Sequence, residues 1–171
     1  TGVQTCALPI CSLSAVSATD PATKRCNCRS APQCPLGGRC LTEGLVYKAT
    51  VTTDDPDARR EYIGSTATSF KQRFANHMSS TRLPRYENST ALSKYVWQLK
   101  RDEQPFTISW EICERAQPYT PSSKRCNLCI AEKFWIAKST SRTLLNKRSE
   151  LVSMCRHQSK SSLACFKRGV T

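Results

Sequence analysis

The stretch Leu45–Ser65, LVYKATVTTDDPDARREYIGS, decides the fold. Leu45–Thr53 has strand composition, and its alternation sets Tyr47, Ala49 and Val51 on one face against Val46, Lys48 and Thr50 on the other. Asp54-Asp55-Pro56-Asp57 interrupts it as a turn, and Glu61–Ser65 returns as a second strand. Such a hairpin lays the two strands side by side, so Tyr47 and Tyr62 can share a face.

Working outward from the hairpin, Ser69–Ser79 reads as a helix. Phe70 and Phe74 lie four apart toward the core, with Arg73 and His77 four apart on an adjoining face. Ala91–Lys100 is a second helix carrying Leu92, Tyr95, Val96 and Leu99 as a buried stripe, with Ser89 or Thr90 as its N-cap. Phe106–Cys113 alternates Phe106, Ile108, Trp110 and Ile112 as a third strand. Cys126–Lys138 is helical with Glu132 in its middle, and Leu144-Leu145 leads through Asn146 into a last helix near Lys147–Arg156. The predicted order is ββααβαα. This is a small α/β domain in which a three-stranded, mainly antiparallel sheet is flanked by helices. No internal repeat interrupts it.

Residues 1–10, TGVQTCALPI, read as the translation of a sequencing-library adapter. A signal-peptide remnant is the competing reading, weakened by Pro9 inside the short apolar run and by the lack of a basic start. On the adapter reading Cys6 drops out of the cysteine arithmetic. Residues 11–25 form a Ser/Ala/Thr linker, 26–44 a cysteine-rich loop, 45–157 the main domain and 158–171 a basic tail. That extent suits one domain with an appendage, at roughly 100–200 residues per domain.

The chain has 26 Lys and Arg against 13 Asp and Glu, a net charge of +13. Residues 121–171 hold 11 basic side chains and only Glu132 and Glu150, so nine of those thirteen charges lie there. A basic surface so one-sided is an electrostatic footprint for a polyanion, bound through counterion release. The basic residues do not oppose an apolar stripe, and no apolar run approaches the ~18 residues of a membrane span. DNA is the expected partner, and no membrane is.

Eleven cysteines could build a disulfide scaffold or metal sites. Cys26, Cys28, Cys34 and Cys40 form C-x-C-x5-C-x5-C; Cys126 and Cys129 form C-x2-C; Cys155 and His157 form C-x-H. Such close pairs are awkward for intrachain disulfides and natural for tetrahedral Zn²⁺. These eight residues are the expected ligand pool, enough for one or two structural sites. One site could join the C-x2-C to the N-terminal loop and so brace the Glu132 helix. Cys113, inside a strand pattern, reads as a small buried residue.

Tyr47, Tyr62, Arg73, His77, Glu132 and Asn146 are the candidate chemistry. Phosphodiester hydrolysis needs an activated water and positive charge on phosphate and leaving oxygen, and a divalent metal held by one carboxylate supplies much of that. Glu132, flanked by Ile130, Ala131, Phe134, Trp135 and Ile136, is the candidate carboxylate; a solvated surface glutamate is the plainer use of that residue type. Arg73 offers a planar fork to phosphate. A tyrosine base starts from a pKa of ~10 and needs a metal or Arg nearby to lower it. Both tyrosines could instead be ordinary strand aromatics. His77 could relay a proton or lie on the helix surface, and Asn146 could be an N-cap or a site residue.

The order and spacing of these six, in LVYKATV, EYIGST, FKQRFANH, IAEKFW and LLNKR, resemble the GIY-YIG nuclease superfamily over Gly44 to Asn146. The resemblance implies Tyr47 as general base, Arg73 on the phosphate, Glu132 on one Mg²⁺ and Asn146 as support, with Tyr62 and Gly64 from the second half of the motif. The first half departs from the family pattern: it reads Leu45-Val46-Tyr47, with the glycine displaced to Gly44. CNCRSAPQCPLGGRCLTEGLVYKA, YENSTALSKYVWQLK, KRCNLCIAEKFWIAK and LLNKRSELVSMCRH are similar to the C-terminal endonuclease domains of Penelope-like retroelements. That likeness implies a nuclear enzyme, fused to or acting with an upstream reverse transcriptase. It would nick DNA to expose a 3′-hydroxyl that primes reverse transcription. A catalytically inactive nucleic-acid-binding module and a host DNA-repair nuclease of the same fold are the competing expectations.

Overall fold

The computed structural model describes residues 25–122, 124–139, 142–155 and 157. The adapter-like start, nearly all of the linker and the tail at 158–171 lie outside the described residues. The sheet is formed by β1 (Leu45–Thr53), β2 (Arg60–Thr66) and β3 (Phe106–Arg115), all antiparallel, with β1 in the centre. The helices are α1 (Phe70–Arg82), α2 (Ala91–Arg101) and α3 (Asn127–Lys138). The α/β expectation holds in that form, an antiparallel sheet with three helices.

The central place of β1 explains its nearly unbroken apolarity. Leu45, Val46, Tyr47, Ala49 and Val51 are all fully buried, because both faces of the strand are covered. Tyr47, Ala49 and Val51 pack with Phe70 of α1 and with Leu92, Val96 and Leu99 of α2. On the other face Val46 and Ile63 meet Leu128, Ala131 and Ile136 of α3. Cys113 is half-buried against this second core, as its strand setting predicts. The β1–β3 register shifts between Val46, opposite Glu114, and Tyr47, opposite Ile112, so Cys113 is the extra residue of a bulge beside Tyr47.

Capping fixes where the helices begin. Thr90 and Ser93 close a reciprocal capping box on α2, each side chain accepting from the other's backbone N–H at 3.0 Å. α1 has no side-chain cap from Ser69. Its first N–H groups, those of Phe70 and Lys71, instead donate to the carbonyls of Thr42 and Cys40 at 2.9 and 2.7 Å. The cysteine loop therefore seats the helix that carries Arg73.

The last predicted helix is corrected. Only a five-residue 3-10 turn forms, Arg148–Val152. The Glu150 carboxylate accepts from Lys147 N–H and from the Asn146 amide, which tightens this turn, and the chain then leaves toward α3, where Lys133 Nζ donates to the Ser153 carbonyl at 2.6 Å. Ahead of the turn, residues 143–146 run beside β2. Glu61 N–H donates to Thr143 O at 2.9 Å, and Leu145 N–H to Glu61 O at 2.7 Å.

Candidate active site and metal centres

A cleft of about 290 Å³ opens between β2, α1 and α3, lined by Tyr62, Arg73, Asn76, Glu132, Lys133 and the C-terminal Ser153, Met154 and His157, among others. Three of the six residues singled out in the sequence reach it: Tyr62 from the sheet, Arg73 from the first helix and Glu132 from the third. Glu132 is the carboxylate in its lining among the described residues. Asn76 and Lys133 were not anticipated. Asn76 lies three residues beyond Arg73 on α1, and that spacing already places it on the same face.

Tyr47 and His77 sit behind the cleft. Arg73 Nε donates to the Tyr47 hydroxyl at 2.8 Å, and that hydroxyl shares a hydrogen bond with His77 Nε2 at 2.7 Å. One phenol thus stands between two side chains four apart on α1, which is what their spacing means in three dimensions. Arg73 also hydrogen-bonds the Tyr62 hydroxyl. His77 is 2% exposed. Burial, with the Arg73 charge added, pushes the imidazole down to about 3, so it stays neutral beside the phenol. The Tyr47 phenol was expected to be lowered by its Arg neighbour. It is raised instead: burial and the neighbouring Tyr62 outweigh the pull of Arg73. Burial works against the Arg73 charge, and the two tyrosine oxygens more than restore it.

Asn146 is neither an N-cap nor part of the cleft lining. Its Oδ1 accepts from Ile63 N–H at 2.7 Å, and its Nδ2 donates to Ile63 O at 2.8 Å and to Glu150 Oε2 at 2.9 Å. The side chain completes the outer edge of β2 as a neighbouring strand would, one residue from Tyr62.

Gly44 takes φ +58°, and a Cβ there would lie 2.8 Å from the Ala116 carbonyl oxygen. The backbone can therefore turn into β1 only with glycine at this position.

The eight predicted ligands form two separate groups, Cys26, Cys28, Cys34 and Cys40 in one, and Cys126, Cys129, Cys155 and His157 in the other, with donor atoms in each within 4.8 Å of one another. The expected union of the C-x2-C with the N-terminal loop is thereby corrected. Cys126, the N-cap of α3, and Cys129 within it are joined by the chain returning past the helix, and the N-terminal loop braces α1. Thiolates about 2.3 Å from a tetrahedral zinc stand about 3.8 Å apart. The observed Cys28–Cys40, Cys26–Cys40 and Cys129–Cys155 separations are 3.6, 3.6 and 3.5 Å, and Cys129 Sγ lies 3.2 Å from His157 Nδ1. A disulfide needs about 2.05 Å, and all eight described cysteines are free thiols. Burial alone would raise the Cys34 thiol, yet the backbone N–H groups of Leu36 and Gly38 aimed at it bring it down to about 6. Both groups fit a structural metal ion such as zinc. The second shares Cys129 and His157 with the wall of the cleft.

No family model matches the chain, and no curated protein and no solved structure matches it. No helix among the described residues is long and apolar enough to cross a membrane.

Proposed function

We propose that the protein is a metal-dependent DNA endonuclease, with its active site in the cleft of Tyr62, Arg73 and Glu132. The observation that carries the reading is the convergence of these three side chains, from β2, α1 and α3, on one cleft of about 290 Å³. A cation, a single carboxylate and a phenol are the parts that phosphodiester hydrolysis asks for. The net charge of +13 supplies affinity for the polyanion. Glu132 would hold Mg²⁺, which takes one or two carboxylates and completes its shell with water and phosphate oxygens, and which supplies charge stabilisation at the phosphate when bound.

The chain's own residues divide the remaining work. Arg73, fixed by both phenols, presents its guanidinium to the scissile phosphate. Tyr62 is the phenol in contact with the cleft; ionised beside Arg73, its phenolate would orient the attacking water and take its proton. The resemblance gives that role to Tyr47. Tyr47 is fully buried with its hydroxyl held between Arg73 and His77, so here it is assigned to positioning Arg73. Lys133 and Asn76 add a charge and an amide along the walls. Nuclear action with an upstream reverse transcriptase, to nick DNA and expose a priming 3′-hydroxyl, belongs to this proposal through the retroelement resemblance alone.

The test is nicking of supercoiled plasmid by the purified chain in Mg²⁺. Glu132→Gln should abolish cleavage and leave duplex binding nearly intact, because the phosphate-binding cations remain. Nicking by Glu132→Gln at the unaltered rate would remove the catalytic assignment and leave the binding-module reading in its place.

A further inference from the structure

A second, larger cavity of about 570 Å³ lies on the other side of α1, between that helix, β3 and the cysteine loop. Among the described residues it shares no lining residue with the catalytic cleft. The division runs along α1 itself: Arg73 and Asn76 face the cleft, whereas Phe74, Met78 and Arg82 face the groove. Its volume lies within the range of about 300–1,000 Å³ typical of small-molecule sites.

The lining joins aromatic rings to uncompensated cations. Half-buried Phe74, Phe106 and Trp110 form the apolar side, with Phe74 and Trp110 in edge contact at 5.7 Å. Arg82 is exposed at the last turn of α1, and no hydrogen bond or ion pair engages its guanidinium among the described residues. Lys100 donates to the Thr81 carbonyl and lies 4.6 Å over the Trp97 ring, so its charge is held at the rim without a carboxylate partner. Among the described residues no acidic side chain lines the groove.

We infer that this groove binds an unpaired nucleotide of single-stranded nucleic acid. Phe106 offers the base a stacking surface, Trp110 packs behind it against the rings of Phe74 and His77, and Arg82 and Lys100 take the adjoining phosphates. Stacking on aromatics beside a basic track is the means by which single strands are held without regard to sequence. Duplex DNA cannot use the site, because its bases are already stacked and paired. Charge decides against an apolar peptide added to the free edge of β3: two cations without carboxylate partners, and no acid among the described lining residues, call for an anionic ligand, and the chain as a whole is strongly cationic.

The inference does not rest on the catalytic reading and is tested without Mg²⁺. The full chain is titrated into fluorescein-labelled (dT)8 and, separately, into a labelled 20-base-pair duplex, with binding followed by anisotropy across a range of salt. Arg82→Ser should weaken (dT)8 binding and flatten its log–log salt dependence by about 0.7 for each phosphate that the variant no longer neutralises. Phe106→Leu, which keeps the apolar packing, should weaken it between about fivefold and a hundredfold. Duplex affinity should change little in either variant, and unaltered melting temperatures would show that both fold. The proposal is overturned if the unaltered chain fails to bind (dT)8, if both variants bind it as tightly as the parent, or if duplex affinity falls in parallel.

Discussion

A side-chain carbon at Gly64 would come within 2.5 Å of the Tyr47 hydroxyl oxygen, because the Tyr47 ring lies across the backbone of the neighbouring strand at the residue with which it pairs. The glycine of the second motif half is therefore the space that the tyrosine of the first half occupies. Gly64→Ala should lower stability by about 1–3 kcal/mol through overpacking. That opposes the ~0.5–1 kcal/mol gain from removing a glycine inside a strand. Chemical denaturation measures the sum, and a stabilised Gly64→Ala would mean that the Tyr47 ring moves aside freely.

His77 carries a pH dependence whose sign follows from its burial. Its folded pKa is about 3 against an ordinary ~6.5, so between those values the unfolded chain binds a proton that the folded chain does not. Stability is fully present above pH ~6.5 and is lost as pH falls toward 3. From pH 7.5 to 5 this single residue accounts for at most about 2 kcal/mol. His77→Gln can still hydrogen-bond Tyr47 but does not titrate, and should flatten that part of the curve. An equally steep loss in His77→Gln would move the effect to other groups.

Much of this was legible in the chain, and the reasons for the rest are physical. The hairpin and the apolar stripe of α2 declare themselves because local period and burial agree. β1 hides its alternation, being buried on both faces, but composition and the turn compensate. Residues 147–156 looked helical because their composition permits it. What decides them is long-range: the bonds of Glu150 to Asn146 and Lys147, the Lys133–Ser153 bond, and the pull of Cys155 and His157 toward Cys129. In the candidate site, spacing along α1 put Arg73 and His77 on one face of the helix, where both meet the same hydroxyl. It could not tell that Tyr47 is the residue between them and that Tyr62 is the phenol left facing the cleft. Depth below a surface is not written in a spacing.

Tyr62→Phe and Tyr47→Phe separate those roles. If Tyr62 activates the water, its loss should cost on the order of 10²–10⁴-fold in single-turnover cleavage. Tyr47→Phe leaves the Arg73 and His77 nitrogens without their shared oxygen, so it should cost about 1–3 kcal/mol of stability and a smaller part of the rate. The reverse ranking of rates would return the base to Tyr47.

Asn146 is expected to act through Ile63. Asn146→Ala leaves the Ile63 N–H and C=O without partners and should destabilise by about 1–3 kcal/mol, with faster amide exchange at Ile63. Asn146→Asp keeps an acceptor for the N–H but sets a carboxylate against the Ile63 carbonyl and Glu150, so it should rescue that exchange only in part. Undisturbed exchange at Ile63 in Asn146→Ala would show that the edge of β2 is held by the Thr143 and Leu145 backbone alone.

The two cysteine groups should each bind one zinc, giving two per chain, because each offers four donors at tetrahedral spacing and they lie on different elements. Elemental analysis of Cys34→Ser and Cys129→Ser should find one zinc fewer in each, while Cys113→Ser retains both. The consequences should differ as well. Losing the first site frees the loop whose Cys40 and Thr42 carbonyls cap α1, and so loosens Arg73. Losing the second releases Cys155 and His157 from α3, opening the wall of the cleft three residues from Glu132. A strong chelator should therefore lower the melting temperature, whereas a mild reductant should not, since there is no disulfide among the described cysteines for it to break. One zinc per chain shared by both groups, or none together with stabilising disulfides by mass spectrometry, would overturn the assignment of two independent centres.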